Sequence, residues 1–250
     1  MAEKRRRARR RRRKTAVYTP IAVLLVIFIA IFGMSVFFRI SGIVVTGASK
    51  YADTDIIAIS GIEIGDNLIF MDRNAVALRI YAAMPYVKEV RIERIVPDKI
   101  NINITESIPA ASIAADGSRW IIDQDGRVLE KTPMTGDSGI AQVTGITPIT
   151  PIVGEKLAVA DEETLNFTYM TDALNALSSL GFSENTTELD VTNISNITMK
   201  YGGRFTVLLG SGENLEYKLN KLKKLIEKLS PDDKGKIDLS GDKSSFIPTY

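Results

Sequence analysis

The chain has 250 residues, 32 Lys and Arg against 30 Asp and Glu, a formal net charge of +2, no histidine and no cysteine. Without histidine, His-based triads and the usual zinc sites are excluded, and without cysteine there are no disulfides; an enzyme here would have to rely on carboxylates, Lys or Tyr. The near-neutral total hides a split, because residues 1–14 carry ten Lys/Arg and one Glu, while the remainder carries 22 Lys/Arg and 29 Asp/Glu.

The basic block Arg5–Lys14 holds nine positive charges in ten residues. Alone it would suggest an arm lying along nucleic-acid phosphates. The next stretch changes that reading: Thr15 to Phe38 has no ionisable side chain except Tyr18, and PIAVLLVIFIAIFGMSVFF is almost wholly apolar. As a helix, Val17–Phe38 would measure about 33 Å, enough to cross a hydrocarbon core of about 30 Å. The rival, a cleaved signal peptide, has a shorter apolar run followed by small residues, whereas this run ends Val36-Phe37-Phe38-Arg39. An uncleaved signal-anchor is therefore expected, with residues 1–16 as a basic cytoplasmic tail, 17–38 as the span and the rest outside, since Lys and Arg stay on the cytoplasmic side. About 212 residues beyond the span suit two ordinary domains.

The first outer unit begins with a short strand, Ile43-Val44-Val45, ended by Thr46-Gly47. Asp53 or Thr54 can cap a helix through Ile56, Ile57 and Ile59 that stops at Gly61. Asp72 can cap a second, with Val76, Ile80 and Ala83 on one face and Met84-Pro85 at its end. Val90 and Ile92, then Ile100, Ile102 and Ile104, alternate with polar residues on either side of Pro97-Asp98, which reads as a hairpin with one buried face.

The second unit starts near Ile108 with strands, including a hairpin of Arg119–Ile122 and Arg127–Glu130 around Asp123-Gln-Asp-Gly126. That turn has an Asp-x-Asp-Gly pattern but lacks the other ligands and the closing Glu of a calcium loop. Thr132 to Gly154 reads as a loop. Asp161 can cap a helix with Phe167, Met170, Leu174 and Leu177 on one face and Gly181 at its end. Strands are expected at Thr187–Val191, Ile197–Tyr201 and Arg204–Leu209, with Gly202-Gly203 as a tight turn. Leu215, Leu219, Leu222, Ile226 and Leu229 mark the buried stripe of a last helix; Lys218, Lys221, Lys223, Lys224 and Lys228 surround it, as a solvated face or a surface for an acidic polymer. Gly235 to Ser240 reads as the final strand.

The succession Val44-x-Thr-Gly, Ile64-Gly-x-Asn-Leu68, Pro85-Tyr-Val87, Val90-x-Ile92, Arg94-x-x-Pro97, Ile100-x-Ile-x-Ile104 and Glu106-x-x-Pro109-x-Ala111 resembles a POTRA domain, with Val96 and Ser107 as departures. Behind a single span with a basic tail, it resembles the FtsQ/DivIB family of bacterial cell-division proteins. Val153-Gly154, Gly203 to Gly210, Lys218-Leu219 and Ile237-Asp238-Leu239 are similar to the β domain that follows POTRA in that family. The implied fold class is α+β: a transmembrane helix, a POTRA domain (β-α-α-β-β) over 39–108, a mixed β-rich domain with two helices over 109–241, and a tail over 242–250.

Two literal motifs carry little chemistry. Ser240-Gly-Asp-Lys243 is an S-x-x-K, but it follows a strand and lacks the companion S-D-N and K-T-G elements of penicillin-binding enzymes. Gly210-Ser-Gly212 lacks the third glycine of a dinucleotide loop. No catalytic, metal or cofactor site is expected. Binding has more support, because Lys236–Ser240 near the chain end is expected at a sheet edge, where a partner can add a strand; the plainer reading is an edge protected by Lys236, Asp238 and Lys243.

The resemblance implies a non-enzymatic scaffold at the division septum that binds FtsB (DivIC in some bacteria) and FtsL, and through them acts on septal peptidoglycan synthesis, with no nucleic acid and no small-molecule substrate. By position, Ile237, Asp238, Leu239, Ser240 and Gly241 would supply main-chain pairing, and Lys243 and Phe246 side-chain contacts. A Pro at Leu239 would then remove one pairing donor. Alternatives are a membrane-anchored cell-wall enzyme or a single-pass envelope sensor.

Overall fold

The structure, a computed structural model, describes residues 2–136, 139–241 and 243–249, with side chains from Tyr18 onward. The side chains of the Arg5–Lys14 block therefore lie outside the described residues. The first helix, α1 (Ala2–Phe37), runs through the basic block as well as the apolar stretch, in keeping with the good helix propensity of Arg. Its segment Tyr18–Phe37, 20 residues or about 30 Å of helix, has a mean hydropathy of 2.7 over its most apolar 18-residue stretch and is long and apolar enough to cross a membrane.

The chain divides into two compact units, one holding the residues up to Ile80 with Glu89–Thr105, the other Tyr81–Lys88 with the residues from Glu106 onward. In the first, β1 (Gly42–Thr46) is followed by α2 (Asp53–Ser60) and α3 (Arg73–Ala83), then by β2 (Val87–Ile95) and β3 (Lys99–Glu106). The strand order is β1-β3-β2, and β1 runs parallel to β3 with Val44 opposite Asn101. Ile100, Ile102 and Ile104 all point into a core with Ile40, Ile56, Leu68, Val76 and Ile80, as the period-two pattern requires. Gly61 ends α2 in the left-handed conformation at φ 65°. Asp72 caps α3, its Oδ1 accepting from the Asn74 and Ala75 N–H groups. Two expectations change: α2 starts at Asp53 after Ala52, with no side-chain cap, and Ala83 is exposed while Met84, one residue on, is buried.

The second unit is one nine-stranded sheet. Its strands are β4 (Pro109–Ala115), β5 (Ser118–Asp123), β6 (Val128–Pro133), β7 (Ala141–Thr144), β8 (Thr186–Asp190), β9 (Ile197–Tyr201), β10 (Phe205–Gly210), β11 (Gly235–Asp238) and β12 (Ser245–Pro248). They are ordered β12-β11-β10-β9-β8-β7-β4-β5-β6. The helices α4 (Thr164–Ser179) and α5 (Leu215–Ile226) contribute Phe167, Met170, Leu174, Leu177, Leu215, Leu219 and Leu222 to the same core as the strands.

Register makes that core continuous. Trp120, Ile113, Val143, Leu189, Met199, Val207 and Ile237 are successive cross-strand partners from β5 to β11, and all belong to the core. The next row, on the opposite face, is Ile121, Ser112, Gln142, Glu188, Lys200, Thr206 and Lys236, with a Lys200–Glu188 ion pair at 2.5 Å. Partners in register share a face, so one face is apolar and helix-covered and the other largely polar.

The stretch from Thr132 to Gly154 is not all loop: β7 lies inside it, parallel to both β4 and β8. Asp161 does not cap α4; it opens a 3-10 turn, Asp161–Glu163, that leads into the helix. Gly202 and Gly203 have φ of 62° and 63° and form the centre of a tight turn in which Arg204 N–H donates to Tyr201 O at 3.2 Å; Tyr201 pairs with Phe205, so three residues connect the strands.

Candidate functional site

The seven residues expected to bind a partner fall in three different places. Ile237 and Leu239 are core residues with 0 % and 1 % exposure, and the Leu239 N–H already donates to Leu208 O at 2.8 Å. Asp238 faces the other way; its Oδ1 accepts from the Ser240 N–H at 2.9 Å and the Ser240 hydroxyl at 2.6 Å. Those two bonds, helped by Lys236 and opposed by burial, hold the Asp238 carboxyl below its ordinary value. Ser240, Gly241 and Lys243 are exposed in the connection that follows, and Phe246 lies on β12.

The strand expected at the edge is therefore interior. β11 pairs with β10 in parallel and with β12 antiparallel, so both of its sides are occupied. Residues 242–250 are expected to be a tail, yet Ser245–Pro248 within them forms the outermost strand of the sheet. The missed signal is short: Phe246-Ile247 are strand formers, and Pro248 suits an edge because it has no N–H to offer.

Which groups β12 leaves open follows from its register. Thr249 N–H donates to Lys234 O at 2.8 Å, so that pair is hydrogen-bonded, and alternation makes Lys236–Ile247 and Asp238–Ser245 hydrogen-bonded too. Phe246 and Pro248 then turn their main-chain groups outward: an N–H and a C=O from Phe246, and only a C=O from Pro248. The Phe246 ring continues the apolar row beside Ile237 and meets the Phe205 ring edge-on at 6.1 Å. Ile247, opposite Lys236, ends the polar row with an apolar side chain that is 58 % exposed. The edge thus offers main-chain pairing at Phe246 and an apolar handhold at Ile247.

Gly235 makes this edge possible. It sits at φ 155°, and a Cβ there would stand 2.1 Å from Ile247 O. Only glycine lets β12 approach so closely.

The comparisons with known proteins agree with this architecture. Residues 38–107 match the model of the FtsQ-type POTRA domain, and residues 111–240 match that of the C-terminal domain of the cell division protein FtsQ/DivIB. The chain belongs to the FtsQ/DivIB family. It is 30% identical over 188 residues to cell division protein DivIB of Clostridium tetani, covering 74% of this chain and 68% of the relative. DivIB of Clostridium botulinum (strain Hall) is 26% identical over 208 residues, 82% of this chain and 79% of that protein. FtsQ of Corynebacterium glutamicum is 32% identical over 116 residues, 44% and 52% of the two chains. The C-terminal family match stops at residue 240, so β12 of this FtsQ/DivIB protein lies beyond it.

The remaining motifs have structural explanations. The Asp123 carboxylate holds its own turn, Oδ1 accepting from the Asp125 and Arg127 N–H groups and Oδ2 from the buried Ser107 hydroxyl. The Ser240 hydroxyl donates to Asp238, so the S-x-x-K serine is turned toward a carboxylate. At Gly212 a Cβ would lie 2.1 Å from the Tyr169 ring, which makes that glycine a packing requirement. On α5, Lys218 donates to Ser211 O at 2.7 Å, and burial together with Lys221 lowers its pKa against the pull of Glu213. Lys221 lies over the Tyr217 ring at 4.6 Å.

Proposed function

We propose that this chain is a single-pass, cytoplasm-in scaffold without enzymatic activity, enriched at the division septum, that captures FtsB/DivIC and FtsL outside the membrane and so helps to place and regulate septal peptidoglycan synthesis. The observation that carries this reading is the edge of β12, which has no outer neighbour among the described strands. A partner strand laid along it would take the N–H and C=O of Phe246, set an apolar side chain against Ile247, and reach the exposed Lys243 in the preceding turn. Ile237 and Leu239 act in this scheme by holding the sheet; Asp238, Ser240 and Gly241 shape the connection into β12.

Anchoring supplies the rest of the affinity. A domain tethered to the membrane plane meets partners tethered to the same plane at a high effective concentration, so a short strand suffices for capture. The topology follows from the basic residues before the span.

The test uses a photo-reactive residue at Ile247 in the full chain, in membranes that also hold FtsB/DivIC and FtsL, with Thr206 on the polar face of β10 as the control. The expected outcome is an adduct with FtsB/DivIC from position 247 and none from 206. A complex that forms without any adduct at 247 would sink the docking mode. A fluorescent fusion ahead of Met1 checks the setting, with a midcell band before constriction as the expected result.

A further inference from the structure

The loop between α2 and α3 is stitched to the end of α1. Asn67 Nδ2 donates to Met34 O at 3.1 Å and Ser35 O at 3.5 Å, two of the last helical carbonyls, which have no partner within the helix. Its Oδ1 accepts from the Ile69 and Phe70 N–H groups at 2.9 and 3.1 Å. Leu68 N–H donates to Phe38 O, Ile40 N–H to Asp66 O and Gly65 N–H to Ile40 O, each at 2.8 Å. From the other side, Arg94 Nη2 donates to Ile69 O at 3.0 Å and Met71 O at 3.1 Å.

Because Met34 lies within the last turn of α1, the loop stands level with the end of the apolar segment Tyr18–Phe37. Its large apolar residues differ in burial, with Ile69 and Met71 partly covered between two extremes. Ile62 and Leu68 are buried, whereas Ile64 and Phe70 are 65 % and 64 % exposed, and Phe37, at the end of α1, is 78 % exposed. The exposed pair adds little to the core of the first unit, and if α1 spans a bilayer the loop lies where the span leaves it.

We propose that residues 64–71 form a second membrane contact, with Ile64 and Phe70 seated in the interfacial layer of the outer leaflet around the exit of α1. This rests on reading α1 as a membrane span. Two apolar side chains in the headgroup and acyl boundary, with the exposed Arg39 and Arg73 available to phosphates, would fix the tilt of the first unit against the bilayer rather than leave it on a swivel. Asn67 is the positioning residue, since it ties the loop to the span.

The chain has no cysteine, so single cysteines can be labelled cleanly. The full chain, reconstituted in phosphatidylcholine and phosphatidylglycerol vesicles, would carry an environment-sensitive fluorophore at position 64 or 70, at Leu78 (67 % exposed on α3) as the control, or at Phe28 within the span. Lipids spin-labelled near the headgroup should remove most of the fluorescence at 64 and 70 and little at 78, and Asn67→Ala should restore it. Deep-labelled lipids should quench position 28 whatever the loop does, so failure of the span and failure of the loop are told apart. Unquenched labels at 64 and 70 beside a quenched 28 would overturn the proposal, as would a change at 64 and 70 that appears only when a partner protein is added. Equal quenching at 78 would overturn it too, because the contact would then not belong to the loop.

Discussion

β11 and β12 are neighbours in sequence and in the sheet, and they do opposite jobs. β11 has a strand on each side and places Ile237 in the core, followed by the buried Leu239; β12 has one strand beside it and keeps only Phe246 half-buried. The family resemblance places main-chain pairing on the first and only a side-chain contact, Phe246, on the second, yet the outward main-chain groups belong to the second. A docking edge is defined by what is left unpaired, and pairing is a property of the sheet.

Four substitutions separate the two strands. Leu239→Pro should have the largest effect: it takes the donor from Leu208 O and removes a buried leucine, a loss of roughly 4 kcal/mol that should appear as unfolding of the β domain in denaturant titrations of the full chain in detergent. It therefore tests the fold and says nothing about docking. Gly235→Ala comes next, since its Cβ would collide with Ile247 O; the expected outcome is a detached β12, seen as faster amide exchange at Ser245, Ile247 and Thr249 while Val207 and Met199 stay protected. Retained β12 protection in this variant would mean that the strand is held by more than its closeness to Gly235.

Phe246→Pro sharpens the comparison. The removed N–H points outward, so the sheet keeps its internal bonds, although the contact with Phe205 is lost. Capture of FtsB/DivIC should weaken by about tenfold, the scale of one hydrogen bond with its share of apolar contact, with only a modest fall in stability. Unchanged capture by the folded variant would count against strand addition.

The smallest effect concerns Asp238. Its folded pKa lies below its ordinary value, so the Ser240 bonds stabilise the protein above the usual carboxylate range and are lost as pH falls through the folded pKa. Asp238→Asn should flatten that acid-side slope, measured as the pH dependence of denaturant midpoints, and leave the neutral-pH fold intact. An unaltered slope would mean that the carboxylate is not linked to folding.

Much of the molecule can be read from local pattern. The apolar stretch of α1, the three alternating isoleucines of β3, the Gly202-Gly203 hairpin and the leucines of α5 each carry their instruction within one periodic segment or one turn, because burial on one face or a positive φ demands particular residue types at particular spacings. The family could also be recognised from the order of such segments. β7 and β12 could not be read this way. Each has only four residues, too few for a periodic pattern to show, and each is a strand because other strands lie beside it: β4 and β8 flank β7, and β11, approached closely at Gly235, holds β12. The candidate site shares that origin. Residue types mark the C-terminal segment as a strand candidate, but only tertiary pairing decides that Leu239 is buried and bonded while the main-chain groups of Phe246 and the side chain of Ile247 face outward, since a backbone N–H is open or satisfied according to what the rest of the sheet places next to it.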